Sequence, residues 1–196
     1  MKNFGYSLRS NNNYNRHAAT LNFQFSIHKR IKTMNNIILC GFMGSGKSVV
    51  GRELAKITGK RFIDTDEYIE KKQGIPIKAI FAAHGEDFFR DLEFEACKEV
   101  SELKNCIIST GGGAVTFERN VEVLKDGGRI IFLDADFETI CDRIGNSTTR
   151  PLFQDKEKAR ALFEERRPKY LAAADFTVDG EMSARKAALT IADMTR

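Results

Sequence analysis

The run Gly41-Phe42-Met43-Gly44-Ser45-Gly46-Lys47-Ser48 fills every fixed position of a G-x-x-x-x-G-K-[ST] phosphate loop. Glycines let the backbone turn its N–H groups toward a polyphosphate, and a helix starting at the loop adds the positive end of its dipole. Lys47 is placed to reach the β- and γ-phosphates, and the Ser48 hydroxyl to ligate Mg²⁺. The context fits: Ile37-Ile38-Leu39-Cys40 reads as a buried strand before the loop, and Val50, Leu54 and Ile57 recur at helical spacing after it. The loop specifies a nucleoside triphosphate and leaves the acceptor open.

Further groups follow in order. Asp64-Thr65-Asp66 closes a second short strand, and alternation along an extended segment sends both carboxylates to one side. One could hold Mg²⁺ through water; the other could orient an acceptor hydroxyl and take its proton. The plainer reading is a helix N-cap. Arg90, in the run Gly85 to Glu93, offers a guanidinium that can grip a carboxylate with parallel hydrogen bonds. Its plainer reading is an i,i+3 ion pair with Glu93 on a wet helix face. Gly111-Gly112-Gly113 would let a ligand approach bare backbone, or is simply a flexible turn. The stretch from Arg143 to Leu152 is polar and loop-like, suited to a mobile lid over about 144–158, with Arg150 able to neutralise charge on a transferring phosphoryl group. Arg166-Arg167-Pro168-Lys169-Tyr170 offers another guanidinium near a proline turn. For Arg150 and Arg166 the plainer reading is a solvated surface charge.

The elements that must position these groups can be traced. Strands are expected at Ile37–Cys40, Arg61–Asp64, Cys106–Ser109, Arg129–Leu133 and Asp175–Val178. Gly59 and Gly74 read as helix stops, Pro76 as a first helical residue, and Leu92, Ala96, Val100 and Leu103 as one helix face. A closing helix is expected around Ala184–Met194. Continuous apolar strands alternating with helices imply an α/β domain with a parallel sheet covered on both faces, whose ligands bind beyond the carboxyl ends of the strands.

Composition sets the outer bounds. The chain has 196 residues, 42% apolar and 30% charged, and suits one α/β domain over 34–196 with a sizeable core. No apolar run approaches a membrane span. The net charge of +4 is uneven: residues 1–33 carry Lys2, Arg9, Arg16, Lys29, Arg30 and Lys32 and no acid, which leaves the remainder at −2. The basic balance therefore belongs to a leader and gives no reason to expect nucleic-acid binding. That leader is expected to lie outside the fold, as a disordered arm, as sequence before a true start at Met34, or as a transit peptide. Alternation at Leu21, Phe23, Phe25 and Ile27 also allows a short strand. Cys40, Cys97, Cys106 and Cys141 match no common zinc spacing, and Cys40 and Cys106, in apolar runs, read as buried thiols.

In order and spacing, the phosphate loop, the D-x-D of Asp64 and Asp66, the G-E-x-x-F-R-x-x-E run of Gly85–Glu93, Gly111–Gly113, the R-P-L of Arg150–Leu152 and the R-x-P-x-Y of Arg166–Tyr170 resemble the shikimate kinases from about Asn36 onward. The resemblance implies a three-layer P-loop NTPase fold with a five-stranded parallel sheet and a mobile lid, and phosphorylation of shikimate by ATP with Mg²⁺ in a cytoplasmic monomer. It implies ATP at Gly44, Ser45, Gly46, Lys47, Ser48, Val49, Arg143 and Arg150, with the adenine near Val178–Ser183, and Mg²⁺ at Ser48 and Asp64. Shikimate's carboxylate would lie between Arg90 and Arg166, its hydroxyls at Asp66 and the backbone of Gly111, Gly112 and Gly113, with Phe81 and Phe89 as walls. Lys47, Asp66 and Arg150 would be catalytic. Two alternatives remain at this point: another small-metabolite kinase, such as one for gluconate, and a non-catalytic ATP-binding regulatory module.

Overall fold

The structure, a computed structural model, describes residues 36–145 and 155–195. The chain runs β1 (Asn36–Cys40), α1 (Lys47–Thr58), β2 (Arg61–Asp64), α2 (Thr65–Gln73), α3 (Ile77–Ser101), β3 (Cys106–Ser109), a 3₁₀ turn (Ala114–Thr116), α4 (Glu118–Gly127), β4 (Gly128–Asp134), α5 (Phe137–Ile144), α6 (Lys156–Ala173), β5 (Phe176–Asp179) and α7 (Ala184–Met194). The strands form one five-stranded sheet, ordered β2-β3-β1-β4-β5, with every pairing parallel.

β1 and β3 are buried at every residue, as continuous apolar runs in a covered parallel sheet should be. The side chains still alternate. Ile37 and Leu39 join Val50 and Leu54 of α1 and Ala188 and Ile191 of α7 on one face. Ile38 and Cys40 join Val100 of α3, Leu124 of α4 and Tyr170 of α6 on the other. Each buried Ile or Leu stabilises the fold by roughly 1.5–3 kcal/mol relative to leaving it exposed. A third cluster, Ile69, Ile80, Phe89 and Ala96, packs α2 against α3.

From β1 the chain crosses over β3 to the β2 edge, and after β3 it crosses over β1 to β4. The connections thus diverge at the carboxyl end of β1, the place where open α/β sheets bind ligands. The phosphate loop sits there.

Several local expectations need correction. α2 begins at Thr65, so Asp64 and Asp66 do not share an extended segment. Asp64 is the N-cap, its Oδ1 accepting the Asp66 N–H at 3.1 Å, which makes the helix-cap reading correct for that residue. α3 spans Ile77–Ser101, with Gly85 (φ 80°) breaking the helical geometry inside it; Leu103 lies beyond its end, and Pro76 is its N-cap. Arg143 is helical, in the last turn of α5. Arg166 to Tyr170 form no turn: α6 continues through Pro168, held by Ala159 before the proline and Tyr170 and Ala173 after it, all buried. Residues 144 and 156–158 of the expected lid are helical. The lid stretch 146–154 and the leader lie outside the described residues. Cys40, Cys97, Cys106 and Cys141 are free thiols, the first three buried.

Candidate active site

The cleft at the carboxyl edge of the sheet has a volume of about 590 Å³. Its floor is the phosphate loop from Met43 to Val50, its sides Asp64, Asp66, Ser109, Thr110 and Gly112, and its far end Arg143 and the segment Gly180–Ala184. Lys47 is only 8% exposed. Its ammonium donates to the carbonyls of Gly41 and Phe42 at 2.9 and 3.0 Å, which fixes a buried positive charge under the loop. Burial pushes the thiol of neighbouring Cys40 up to about 12, with Lys47 opposing, so the thiol stays protonated and inert.

Ser48 opens α1 and its hydroxyl donates to Asp64 Oδ2 at 2.8 Å, with Ser109 Oγ at 3.4 Å. These are hard oxygen donors from two strand ends and one helix start. Among the described residues no group of three or more His, Cys, Asp or Glu is arranged to hold a metal. One carboxylate and one hydroxyl fit Mg²⁺, which keeps several waters and takes its other ligands from substrate phosphates. Arg143 donates to the Ser45 carbonyl at 3.2 Å, which ties the end of α5 to the loop. The Gly180–Ala184 segment is the described part of the wall nearest the expected adenine position. Val49 lines the cleft and is exposed.

The acceptor end is assembled around the triple glycine. A Cβ on Gly111 would lie 2.6 Å from Asp66 Oδ1 and 3.1 Å from Glu93 Oε1, and one on Gly113 would lie 2.7 Å from Arg90 Nη1. The glycines are therefore needed for the close approach of those side chains, whatever else binds there. Thr65, fully buried, takes the Gly111 N–H on its hydroxyl at 2.9 Å and holds the loop against α2. Arg90 donates through Nη1 to Glu93 Oε2 at 2.9 Å and through Nε and Nη2 to Glu86 Oε1 at 3.1 and 2.7 Å.

The Arg90–Glu93 ion pair thus forms, but the wet face does not exist: the two side chains are 13% and 1% exposed. Burial pushes the Glu93 carboxyl above its ordinary range, Arg90 opposes the shift, Asp66 adds to it and Arg166 counters it. Both Asp66 and Arg166 therefore act on the same buried carboxylate as Arg90. Arg166 is half-buried on α6, and its charge also acts on the Tyr170 hydroxyl. Phe89 is buried and its ring lies 4.6 Å from that of Phe81, which stays 36% exposed.

The structure brings together Gly44–Val49, Asp64, Asp66, Gly112 and Arg143 around one cleft. It places Arg90, Gly111, Gly113 and Arg166 beside that cleft, joined through Asp66 and Glu93. Phe81 and Phe89 stand behind Arg90, which lies over the Phe89 ring at 5.3 Å. Arg150 lies outside the described residues. Sequence reasoning missed Glu93 as the hub, although its i+3 spacing from Arg90 was visible. It missed Ser109 and Thr110, whose signal was polarity at the end of a buried strand, and Phe117, whose ring lies 5.0 Å beneath the Arg90 guanidinium; Phe117 carried no signal.

The sequence model of the family described as shikimate kinase matches residues 43–196. The chain belongs to the shikimate kinase family. The shikimate kinase of Moorella thermoacetica is 45% identical over 146 residues, which cover 74% of this chain and 84% of that one. A solved structure, shikimate kinase from Acinetobacter baumannii in complex with shikimate, superposes with a TM-score of 0.78 at 37% identity, covering 83% of this chain and 93% of that one. A gluconokinase from Sinorhizobium meliloti reaches a TM-score of 0.50 at 17% identity, a likeness of fold alone.

Proposed function

We propose that this chain transfers the γ-phosphoryl group of ATP to a ring hydroxyl of shikimate, giving shikimate 3-phosphate and ADP. The observation that carries the reading is the meeting of two kinds of group on one glycine loop: Asp66 against Gly111, and Arg90 against Gly113, beside the phosphate-loop cleft. A ring acid with several hydroxyls presents one carboxylate and several hydrogen-bonding groups. Arg90 and Arg166 suit the carboxylate, and Asp66 with the backbone of Gly111–Gly113 suits the hydroxyls.

On this reading Asp66 orients the attacking hydroxyl and accepts its proton. Lys47 meets charge developing on the phosphates from a position fixed before substrate arrives, so no reorganisation is needed at the moment of transfer. Ser48 and Asp64 would hold Mg²⁺, whose contribution is to offset charge on the β- and γ-phosphate oxygens. Arg143 and Gly180–Ala184 bound the nucleotide's far end. Arg150 is assigned to the transferring phosphoryl group from its sequence position in the R-P-L motif. We take a monomer as the working form, as the family resemblance implies. We place the reaction in the cytoplasm, where ATP and Mg²⁺ are supplied.

The test is ADP release from ATP-Mg²⁺ with shikimate, with gluconate, and with no acceptor. Turnover that requires shikimate is expected. Equal turnover with gluconate, or acceptor-independent turnover unchanged by shikimate, would sink the assignment.

A further inference from the structure

Tyr170 is the largest fully buried side chain among the described residues, 1% exposed, and it sits one turn beyond Arg166 on α6. Its ring packs against Phe132 of β4, centroids 5.4 Å apart. Its hydroxyl does two things that packing alone does not require. It donates to the Gly112 carbonyl at 2.6 Å, and it stands close enough to the Arg166 guanidinium to feel its charge. One phenol therefore fixes the glycine loop that faces the acceptor, beside the arginine assigned to the acceptor carboxylate.

The surrounding backbone makes that tie consequential. Pro168 stands between the two residues and has no N–H, so the usual bond back to the Glu164 carbonyl is missing from that turn of α6. Side chains hold the turn instead. Arg167 grips Asp134 at the end of β4 through Nε at 2.9 Å and Nη2 at 2.5 Å, and Tyr170 grips Gly112. Peptide planarity extends the effect on the loop: fixing the Gly112 carbonyl toward Tyr170 turns the Gly113 N–H of the same peptide the opposite way. Gly113 is the residue against which Arg90 rests.

We propose that Tyr170 is a positioning residue for the acceptor, its hydroxyl fixing the Gly112–Gly113 peptide in place beside Arg166 at the acceptor end of the cleft. The proposal rests on the assignment of Arg166 to the acceptor carboxylate. Tyr170→Phe keeps the ring against Phe132 and removes only the hydroxyl. It is expected to raise KM for shikimate about tenfold, the scale of one lost hydrogen bond. kcat and KM for ATP-Mg²⁺ should stay within about twofold. Arg166→Lys keeps the charge but loses the planar donor fork, and is expected to raise the shikimate KM as well.

A shikimate KM within about twofold of the parent in Tyr170→Phe overturns the positioning role. So does a parallel rise of both KM values with a lowered melting temperature, which would mean general loosening. Arg166→Ala separates the two levels of the argument. If it abolishes shikimate binding while Tyr170→Phe leaves the shikimate KM within about twofold of the parent, the positioning role fails and the acceptor assignment stands. If it binds shikimate like the parent chain, the acceptor assignment fails first.

Discussion

Gly113→Ala tests the acceptor end without touching a reacting group. Gly113 has φ −96° and ψ −15°, a conformation alanine adopts without strain. The consequence is therefore local. The new methyl carbon would stand 2.7 Å from Arg90 Nη1 and 3.2 Å from both Cζ and Nη2. A guanidinium at the end of a long side chain normally swings aside cheaply, but this one is held on both sides, by Glu93 at 2.9 Å and by Glu86 at 2.7 and 3.1 Å. Moving it breaks at least one charge-assisted hydrogen bond, about 1.5–3 kcal/mol, and shifts the group assigned to the acceptor carboxylate. That range corresponds to a loss of shikimate affinity of roughly 10–100-fold. The three atoms nearest the Gly113 methyl all belong to Arg90, so ATP-Mg²⁺ affinity should stay within about twofold. Isothermal titration with each substrate separates the two. Shikimate binding unchanged by Gly113→Ala would mean that Arg90 does not need this position, and the geometry argued for the acceptor end would be wrong.

Other expectations follow from the same contacts. Asp66→Asn should lower turnover by on the order of 10²-fold or more with little change in ATP binding, as read by steady-state kinetics; near-normal turnover would refute Asp66 as the base. Ser48→Ala removes the hydroxyl that meets Asp64 and should raise the Mg²⁺ needed for half-maximal rate by about tenfold or more; an unchanged Mg²⁺ titration would remove Ser48 from the metal site. Glu93 carries a carboxyl raised above its ordinary 4.5, chiefly by burial. The folded chain thus holds that proton more tightly than the unfolded chain, so the group's stabilising contribution is full at low pH and is lost as pH rises through 4.5 toward the raised value. Glu93→Gln should therefore gain melting temperature relative to the parent as pH rises through that window; a difference independent of pH would refute the raised carboxyl.

The phosphate-binding half was legible because it is contiguous: eight residues in a row name their own loop, strand and helix. The strands were legible for the same reason, as short apolar runs with tight ends. The acceptor half was not, because its partners come from elements far apart in the chain. Gly111 meets Asp66 and Glu93, and Tyr170 meets Gly112, across separations no periodicity encodes. Burial is the quantity that sequence misjudged most. Arg90 and Glu93 read equally well as a surface pair, and only α2, α4 and the 3₁₀ turn closing around α3 make that pair dry. Pro168 misled in the opposite direction, since a proline usually ends a helix; here packing on both sides of it outweighs one missing backbone bond.

The buried pair also bears on how an acceptor acid would be selected. A buried ion pair is weak evidence for stability, because desolvation offsets much of its attraction. Arg90 divides its donors unequally: Nη1 goes to buried Glu93, while Nε and Nη2, the edge suited to a two-point grip on a carboxylate, go to Glu86, whose side chain is 62% exposed. On the proposed reading, an incoming carboxylate competes with Glu86 for that edge and leaves the Glu93 contact in place. Displacing Glu86 returns an already exposed carboxylate to water, and the incoming carboxylate replaces its bonds to Arg90. Glu93 meanwhile prevents the guanidinium from turning, so the edge is presented in one orientation. An uncharged sugar would forfeit the exchange, gaining no charge-assisted bonds for those it breaks. The same arginine thus discriminates between an acid and a neutral polyol by what each leaves unpaired.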